Sequence, residues 1–421
     1  MVLNEMAFVL AGGKGSRLKS LTKSRAKPAV VFGGMYRLVD FVLSNLSHSR
    51  LNKITVLTQY EPDSLSEHLR LGWEPKYGAS TDRYLKQRAA AQGANGGWYA
   101  GTADAITQNI RRIVREEPDL VNVFGADHVY LMDISQMNRH HCDAGAALTI
   151  AALPVPVELA ANELGVLVVD KDGRVVGFEE KVPNPTEIPG KPGMVFASMG
   201  NYAFRTDALL EELIIDAEKE RGTKEDVARD RRRYTTNDFG YDIIPSLIER
   251  GLPVYAYDFS TNEVPEGQPQ TQQGYWRDVG TIDQFFAANM ELTDVTPPLN
   301  LYIPRWQVRT YVPESQPAKV VRGGESDNSL LAPGVIISKG LVRHSVLGYG
   351  VRSDDAFIEE AVLQGYNVLE PGAVVRRAII DKGVRVPSGV TVGVDREADR
   401  ARGFHISAGG IVVVPKGYTF E

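Results

Sequence analysis

Short apolar runs alternate with amphipathic stretches along the first 293 residues of the chain. Ala7-Phe8-Val9-Leu10, Ile54-Thr55-Val56-Leu57 and residues 120–124, 147–151 and 254–257 are short and bounded by polar positions, and they predict buried strands. Residues 103–115 carry Ile106, Ile110, Ile113 and Val114 on one stripe at helical spacing, which predicts a helix capped by Thr102. Strands and helices in alternation imply an α/β fold, a Rossmann-like, mostly parallel sheet covered by helices on both faces. Ligands of such sheets bind beyond the carboxyl ends of the strands.

The texture changes after Thr293. Pro297, Pro298, Pro304, Pro313 and Pro317 mark an irregular connector over residues 294–328. Val362, Val368, Val374, Ile380, Val386 and Val392 then recur every six residues, with Gly372, Gly383 and Gly389 in the turns between them. Val335, Leu341 and Leu347 keep the same step, and Val351, Phe357 and Leu363 keep it in a shifted phase. Six-residue repeats predict a triangular β-helix over residues 329–421, each repeat residue pointing to the axis, with a sandwich of irregular strands as the competing fold. Stacked coils of this kind suit subunit contacts. Within the first domain, residues 218–233 are rich in both charges and poor in apolar side chains, and read as an exposed, mobile excursion.

Composition narrows the class. The chain has 421 residues, too many for one small core, so two domains are expected. A net charge of −6 argues against nucleic-acid binding. The single cysteine, Cys142, excludes a disulfide framework and suits a reducing compartment. No secretory pattern opens the chain and no apolar run approaches a bilayer span, so the expectation is a soluble, cytoplasmic protein without membrane partners.

Against that acidic balance, one segment stands out. After the first strand, Gly12-Gly13-Lys14-Gly15 lets the backbone turn its N–H groups toward an anion. From Lys14 to Lys27 the chain carries Lys14, Arg17, Lys19, Lys23, Arg25 and Lys27 and no acidic residue. Such a loop suits a polyphosphate. It is not a P-loop, since no Gly-Lys-Ser/Thr closes a four-residue spacer after the first glycine, and not a dinucleotide fingerprint, since Leu18 stands where the third glycine belongs. Asp127, in Phe-Gly-Ala-Asp-His, and Asp278, in Tyr-Trp-Arg-Asp-Val-Gly, are either turn residues or two carboxylates able to hold Mg²⁺ with substrate phosphates. His128 reads as a hydrogen-bonded structural histidine in preference to a metal ligand. Trp98-Tyr99-Ala100-Gly101-Thr102 places two aromatics before a helix, either to stack on a base or sugar or to enter the core. Phe178-Glu179-Glu180-Lys181 offers a carboxylate for sugar hydroxyls and a lysine for a phosphomonoester, or a surface ion pair. Ser198, in Ala-Ser-Met-Gly, offers a hydroxyl among small residues.

Taken together, LAGGKGSRL, RAKPAV, WYAGTADA, EEKVPNP, ASMGNYAF and YWRDVGT resemble the ADP-glucose pyrophosphorylases (glucose-1-phosphate adenylyltransferases) over essentially the whole chain. The resemblance implies a left-handed β-helix after a nucleotidyltransferase domain, and transfer of an adenylyl group from ATP to α-D-glucose 1-phosphate with Mg²⁺. It implies that Leu10, Gly12, Gly13, Gly15, Gln59, Gly101 and Thr102 bind ATP, that Arg17, Lys27 and Asp127 are catalytic, and that Asp127 and Asp278 hold the metal. Tyr99, Gly165, Glu180, Lys181 and Ser198 match the glucose-1-phosphate positions. Phosphorylated or carboxylate effectors and a homotetramer follow from the same resemblance, with Arg25 and Arg37 as effector residues. Ser24 and Val31 depart from the lysine and histidine of activator-responsive bacterial members.

Overall fold

The computed structural model describes residues 3–78, 80, 82–90, 98–266 and 274–420. The first strand, β1 (Glu5–Ala11), turns Met6 and Phe8 into one core and Ala7, Val9 and Ala11 into another. A strand apolar on both faces belongs in the middle of a covered sheet. The other long strands are β2 (Lys53–Thr58), β3 (Tyr84–Ala89), β4 (Leu120–Gly125), β5 (Leu148–Pro156), β6 (Gly165–Val169), β7 (Val175–Glu180), β8 (Met194–Arg205) and β9 (Val254–Asp258). They form one nine-stranded sheet in the order β7-β6-β8-β4-β1-β2-β3, with β5 beside β8 and β9 beside β5. β4, β1, β2 and β3 are mutually parallel. β8 runs antiparallel to β4, β5 and β6, an extension that the alternating pattern does not reveal.

Helix α1 (Leu38–His48) packs beside this sheet. The helix expected over residues 103–115 is two helices, α2 (Thr102–Thr107) and α3 (Ile110–Glu116). Asn109 breaks it: its side-chain amide donates to the Ala105 carbonyl at 2.9 Å, offering the backbone an alternative to a continued helix. The break rotates the stripe, leaving Ile106 and Ile113 buried and Val114 exposed. Thr102 is not the cap. It is the first helical residue, and its hydroxyl donates to Asp238 at 2.9 Å and accepts from the Phe239 N–H. The charged stretch 218–233 is exposed as expected, yet it has its own order: Glu220–Arg221 pairs with Tyr234–Thr235, and a helix Lys224–Arg229 buries Val227.

The second domain is a parallel β-helix. Its ladders pair Ile336 with Arg352, Arg352 with Val368 and Val368 with Arg385, so successive coils are 16, 16 and 17 residues apart instead of a uniform 18. The six-residue phase therefore slips. Ile337, Leu369 and Val386 stack inside one side, Val342, Ile358, Val375 and Val392 inside the second, and Leu347, Leu363 and Ile380 inside the third. Val362 points outward and Val368 and Val374 are half-exposed, so half of the expected axial series is not axial. The first rung, Lys319–Val321, already lies within the stretch read as connector.

The connector is not a free linker. Leu299, Ile303, Trp306 and Val308 are buried, and the Trp306 indole donates to Asn45 of α1 at 3.2 Å. Together with Phe41 of α1 and with Ile282 and Phe285 of α4 (Ile282–Glu291), they join Val346, Val362, Ile379 and Val413 of the β-helix in one apolar cluster. Gly34, at φ 79°, brings its backbone so close that a Cβ there would stand 3.2 Å from the Leu347 carbonyl oxygen.

Candidate active site

Beyond the carboxyl ends of β1, β2 and β4 lies a cavity of about 530 Å³. The glycine loop forms one wall through Gly12 and Gly13, with Leu10, Gln59, Tyr99, Gly101 and Thr102 beside it. Gly15 does not line the cavity. It sits in the left-handed region at φ 61°, where a Cβ would fall 2.7 Å from the Lys27 Cβ, so only glycine lets the loop close onto Lys27. The Gln59 side-chain carbonyl accepts the Tyr99 N–H at 2.6 Å, tying the second strand to the aromatic segment. Of the two aromatics, Trp98 is exposed and Tyr99 is half-buried against the sheet core while also lining the cavity. Gly101 has a packing reason to be glycine: a Cβ would collide with the Asn237 carbonyl at 2.1 Å.

On the floor, Lys27 is almost fully buried and bridges two carboxylates, Asp127 at 2.9 Å and Asp278 at 3.0 Å. Burial alone would push its ammonium down, but the two aspartates outweigh burial and hold its pKa above the ordinary lysine value. Burial would likewise raise the Asp127 carboxyl, while Lys27 and His128 hold it below the ordinary range, so this carboxylate is ionised at neutral pH. The nearest ligand atoms of Asp127, His128 and Asp278 lie within 4.8 Å of one another. His128 directs Nε2 at the carboxylates, 3.5 Å from Asp278, and stands edge-on to Trp276. Its Nδ1 is buried without a hydrogen bond among the described residues, so the expected hydrogen-bonded structural role is not what the geometry gives. Two carboxylates that converge on one point, with the imidazole beside them, could hold a divalent cation whose shell substrate phosphates complete.

The opposite wall is polar. A bulge in β8 between Ser198 and Tyr202 turns Ser198 into the cavity, with Gly200 at φ 68°. β7 ends at Glu180, and Lys181 follows at φ 56°, its N–H held by the Leu164 carbonyl. The Lys181 ammonium is half-exposed, 3.4 Å from Glu180. Burial pushes the Glu180 carboxyl up, with Lys181 opposing and Asp238 adding to the rise. Gly165 makes room for that carboxylate, since a Cβ there would lie 2.7 Å from Glu180 Oε2.

Asp238 and Trp276 line the cavity and were not singled out from the sequence as site residues. Asp238 accepts from Thr102, Gly240 and Tyr241, and Asn237 beside it sits at φ 57°. The run Asn237-Asp238-Phe239-Gly240 is a turn signal that marks the place without giving its distant partner. Arg17 stands at the rim, largely exposed, with Nη2 3.5 Å from Asp278. Arg25 and Arg37 are outside the cavity. Arg25 is buried against Asp381 of the β-helix, with Nη2 2.7 Å from both carboxylate oxygens. Arg37 donates to the Ala29 carbonyl and to Ser64.

A nucleotidyl transferase family model matches residues 6–295, and a GlmU-like C-terminal hexapeptide model matches residues 316–414. The chain is 44% identical over 425 residues to a glucose-1-phosphate adenylyltransferase of Anaeromyxobacter sp. (strain Fw109-5), covering 99% of each chain. It is 46% identical over 422 residues to that of Frankia casuarinae, covering 98% of each, and 45% identical over 426 residues to that of Thermus thermophilus, covering 99% of each.

Proposed function

Because the chain belongs to the nucleotidyl transferase family, and within it to the glucose-1-phosphate adenylyltransferases, we propose that its two cavity walls divide the two substrates between them. The enzyme joins ATP and α-D-glucose 1-phosphate into ADP-glucose and diphosphate, a step of storage-glucan synthesis. One observation carries the division of labour. The glycine loop, the Lys27–Asp127–Asp278 cluster and the Glu180–Lys181–Ser198 wall converge on a single cavity.

The N–H groups of Gly12 and Gly13 face the triphosphate, Gly15 closes the loop behind them onto Lys27, and Arg17 stands at the open end, while Leu10, Gln59, Gly101 and Thr102 border the nucleoside. Tyr99, Gly165 and Ser198 shape the hexose pocket, Glu180 accepts from sugar hydroxyls, and Lys181 neutralises the sugar phosphate. A phosphate oxygen of glucose 1-phosphate attacks the α-phosphorus of ATP in line, and diphosphate leaves. No side chain acts as nucleophile: the residues align the two phosphates and meet the charge that develops between them. Asp127 and Asp278 would hold Mg²⁺, which supplies charge neutralisation to the phosphates when bound. Lys27, lying between the same carboxylates, keeps the two in register and adds a positive charge of its own.

The other assignments are finer. Anionic effectors, phosphorylated or carboxylate, are assigned to the cationic face between the domains formed by Arg25, Arg37 and Lys382. There burial, then Arg37 and Arg25, push the Lys382 ammonium down to about 7, with Asp381 opposing. A homotetramer and a cytoplasmic location belong to the same reading. Among the described residues no helix is long and apolar enough to cross a membrane.

Lys181→Gln tests the sugar-phosphate wall. A hydrogen bond to a charged group is worth about 1.5–3 kcal/mol. KM for glucose 1-phosphate should therefore rise roughly 10- to 150-fold in an assay of diphosphate release, with kcat and KM for ATP little changed. An equal loss of ATP affinity moves Lys181 to the nucleotide side, and no change in either makes it a surface lysine.

A further inference from the structure

The turn over residues 235–240 touches both walls of the catalytic cavity. On the nucleoside side, the Asn237 carbonyl accepts the Ala103 N–H at 2.9 Å, and Asp238 and the Phe239 N–H hold the Thr102 hydroxyl. On the sugar side, a Cβ at Gly240 would stand 3.3 Å from Glu180 Oε2 and 3.1 Å from the Phe178 ring. Asp238, Phe239 and Gly240 line the cavity. Two buried acids hold this turn in place. Asp242 is fully buried, and its Oδ2 alone accepts three hydrogen bonds: from the Thr236 N–H at 3.1 Å, the Thr236 hydroxyl at 2.6 Å and the Asp238 N–H at 2.9 Å. Its Oδ1 is buried too and accepts none among the described residues. Asp216, from the helix Thr206–Ala217, accepts from the Thr235 hydroxyl at 3.0 Å and the Asn237 amide at 3.1 Å. Lys219 stands 3.4 Å from Asp216, whereas Asp242 has no cationic partner among the described residues. Burial, with Asp216 adding to it, pushes the Asp242 carboxyl up, and the bonds from Thr236 and Asp238 oppose the rise. Residues Phe239–Ile243 form one π-helical turn, a rare geometry that gathers at functional sites. A buried acid without a cation is costly, and proteins break such a rule mainly where function requires it.

We propose that Asp242 is a positioning residue for the sugar phosphate: through Oδ2 it fixes the backbone from Thr236 to Asp238, and so sets how Asp238 and Gly240 stand against Glu180 in the hexose pocket. Asp242 does not line the cavity and acts only through the turn. The two oxygens are not equivalent in this role. Oδ2 does the holding, and the Oδ1 position is open to any atom of the same size. The inference rests on the reading of the Glu180–Lys181–Ser198 wall as the hexose side.

Asp242→Ala removes the shared acceptor, whereas Asp242→Asn keeps it and puts its amide nitrogen where the unpartnered oxygen was. In steady-state assays of diphosphate release by the full chain, Asp242→Ala should raise KM for glucose 1-phosphate roughly 10- to 100-fold, since misplacing a binding group by about 1 Å costs up to that order. KM for ATP should rise far less, and Asp242→Asn should bring KM for glucose 1-phosphate back to within about threefold of wild type. A purely structural acid would lower the denaturation midpoint of Asp242→Ala and leave both KM values alone, which overturns the proposal. Equal rises in the two KM values overturn it as well, as does an asparagine variant no better than the alanine one. Should Asp242→Ala fail to fold, Thr236→Val decides: it deletes one of the three donors and should raise KM for glucose 1-phosphate severalfold, and no rise overturns the role of Asp242. Lys181→Gln separates this inference from the reading beneath it. If Lys181→Gln leaves KM for glucose 1-phosphate unchanged while Asp242→Ala raises it, the positioning role stands and the Lys181 wall falls; the reverse pattern overturns Asp242 alone.

Discussion

Asp127→Asn should fold normally and lose about 10²–10³ in kcat, the usual cost of removing one preorganised electrostatic group at a reacting centre. The argument rests on what the carboxylate does in place. It faces Lys27 at 2.9 Å and lies with His128 and Asp278 around a point in the cavity where ligand atoms converge. Asparagine keeps the shape and one acceptor oxygen but removes the negative charge. A divalent cation held there would then have one carboxylate instead of two, and the Lys27 ammonium would lean on Asp278. The loss should fall mainly in kcat, because the reacting phosphates, and not the remote parts of either substrate, feel the missing charge. Measuring diphosphate release, with circular dichroism to verify folding, decides it. Turnover within a few-fold of wild type would remove Asp127 from the chemistry.

Asp381→Asn should destabilise the chain by about 3–5 kcal/mol, the cost of breaking a buried ion pair and leaving one partner charged. Arg25 is 3% exposed and Asp381 fully buried, and the pair joins the basic segment after the glycine loop to the β-helix. Among the described residues Asp381 is the carboxylate paired with that guanidinium, and the neighbouring Lys382 and Arg37 carry charge of the same sign as Arg25. The exposed pair Arg377–Glu360, within the β-helix itself, is the control, and breaking it should cost about 1 kcal/mol or less. Denaturant midpoints compare the two. A matching pair of small shifts would mean that water reaches Arg25, whereas an apolar double replacement, Arg25→Met with Asp381→Leu, should recover most of the loss.

These two aspartates also mark how far the sequence could be read. Strands betrayed themselves by short apolar runs, and the site by a glycine loop whose basic residues have no acidic neighbours. Asp127 is visible because it follows a strand-like run, and Asp278 because it stands in the motif Tyr-Trp-Arg-Asp-Val-Gly. Arg25 is different: its composition places it with the phosphate-binding residues, and only a partner 356 positions away fixes it in the domain interface. The same limit applies to Thr102, which has cap-forming chemistry but is held by Asp238 of a distant turn. In the β-helix the spacing of six identified the architecture and mis-assigned individual valines. Two coil steps of 16 residues and one of 17 shift the phase a little at each turn, and no local signal records the slip.

That slip has a consequence for how the two halves can evolve. Solenoids ordinarily gain or lose whole repeats at little cost, since each unit touches only its neighbours. Here Val346, Val362, Ile379 and Val413 turn outward, one per rung, into a surface made by α1, α4 and the connector. The catalytic half thus works as a ruler laid along the coils. Duplicating or deleting a rung between Val346 and Val413 would move every later valine off its mark and carry Asp381 away from Arg25. The repeat number is therefore set from outside the repeats, and variation in coil count should be confined to the ends of the stack.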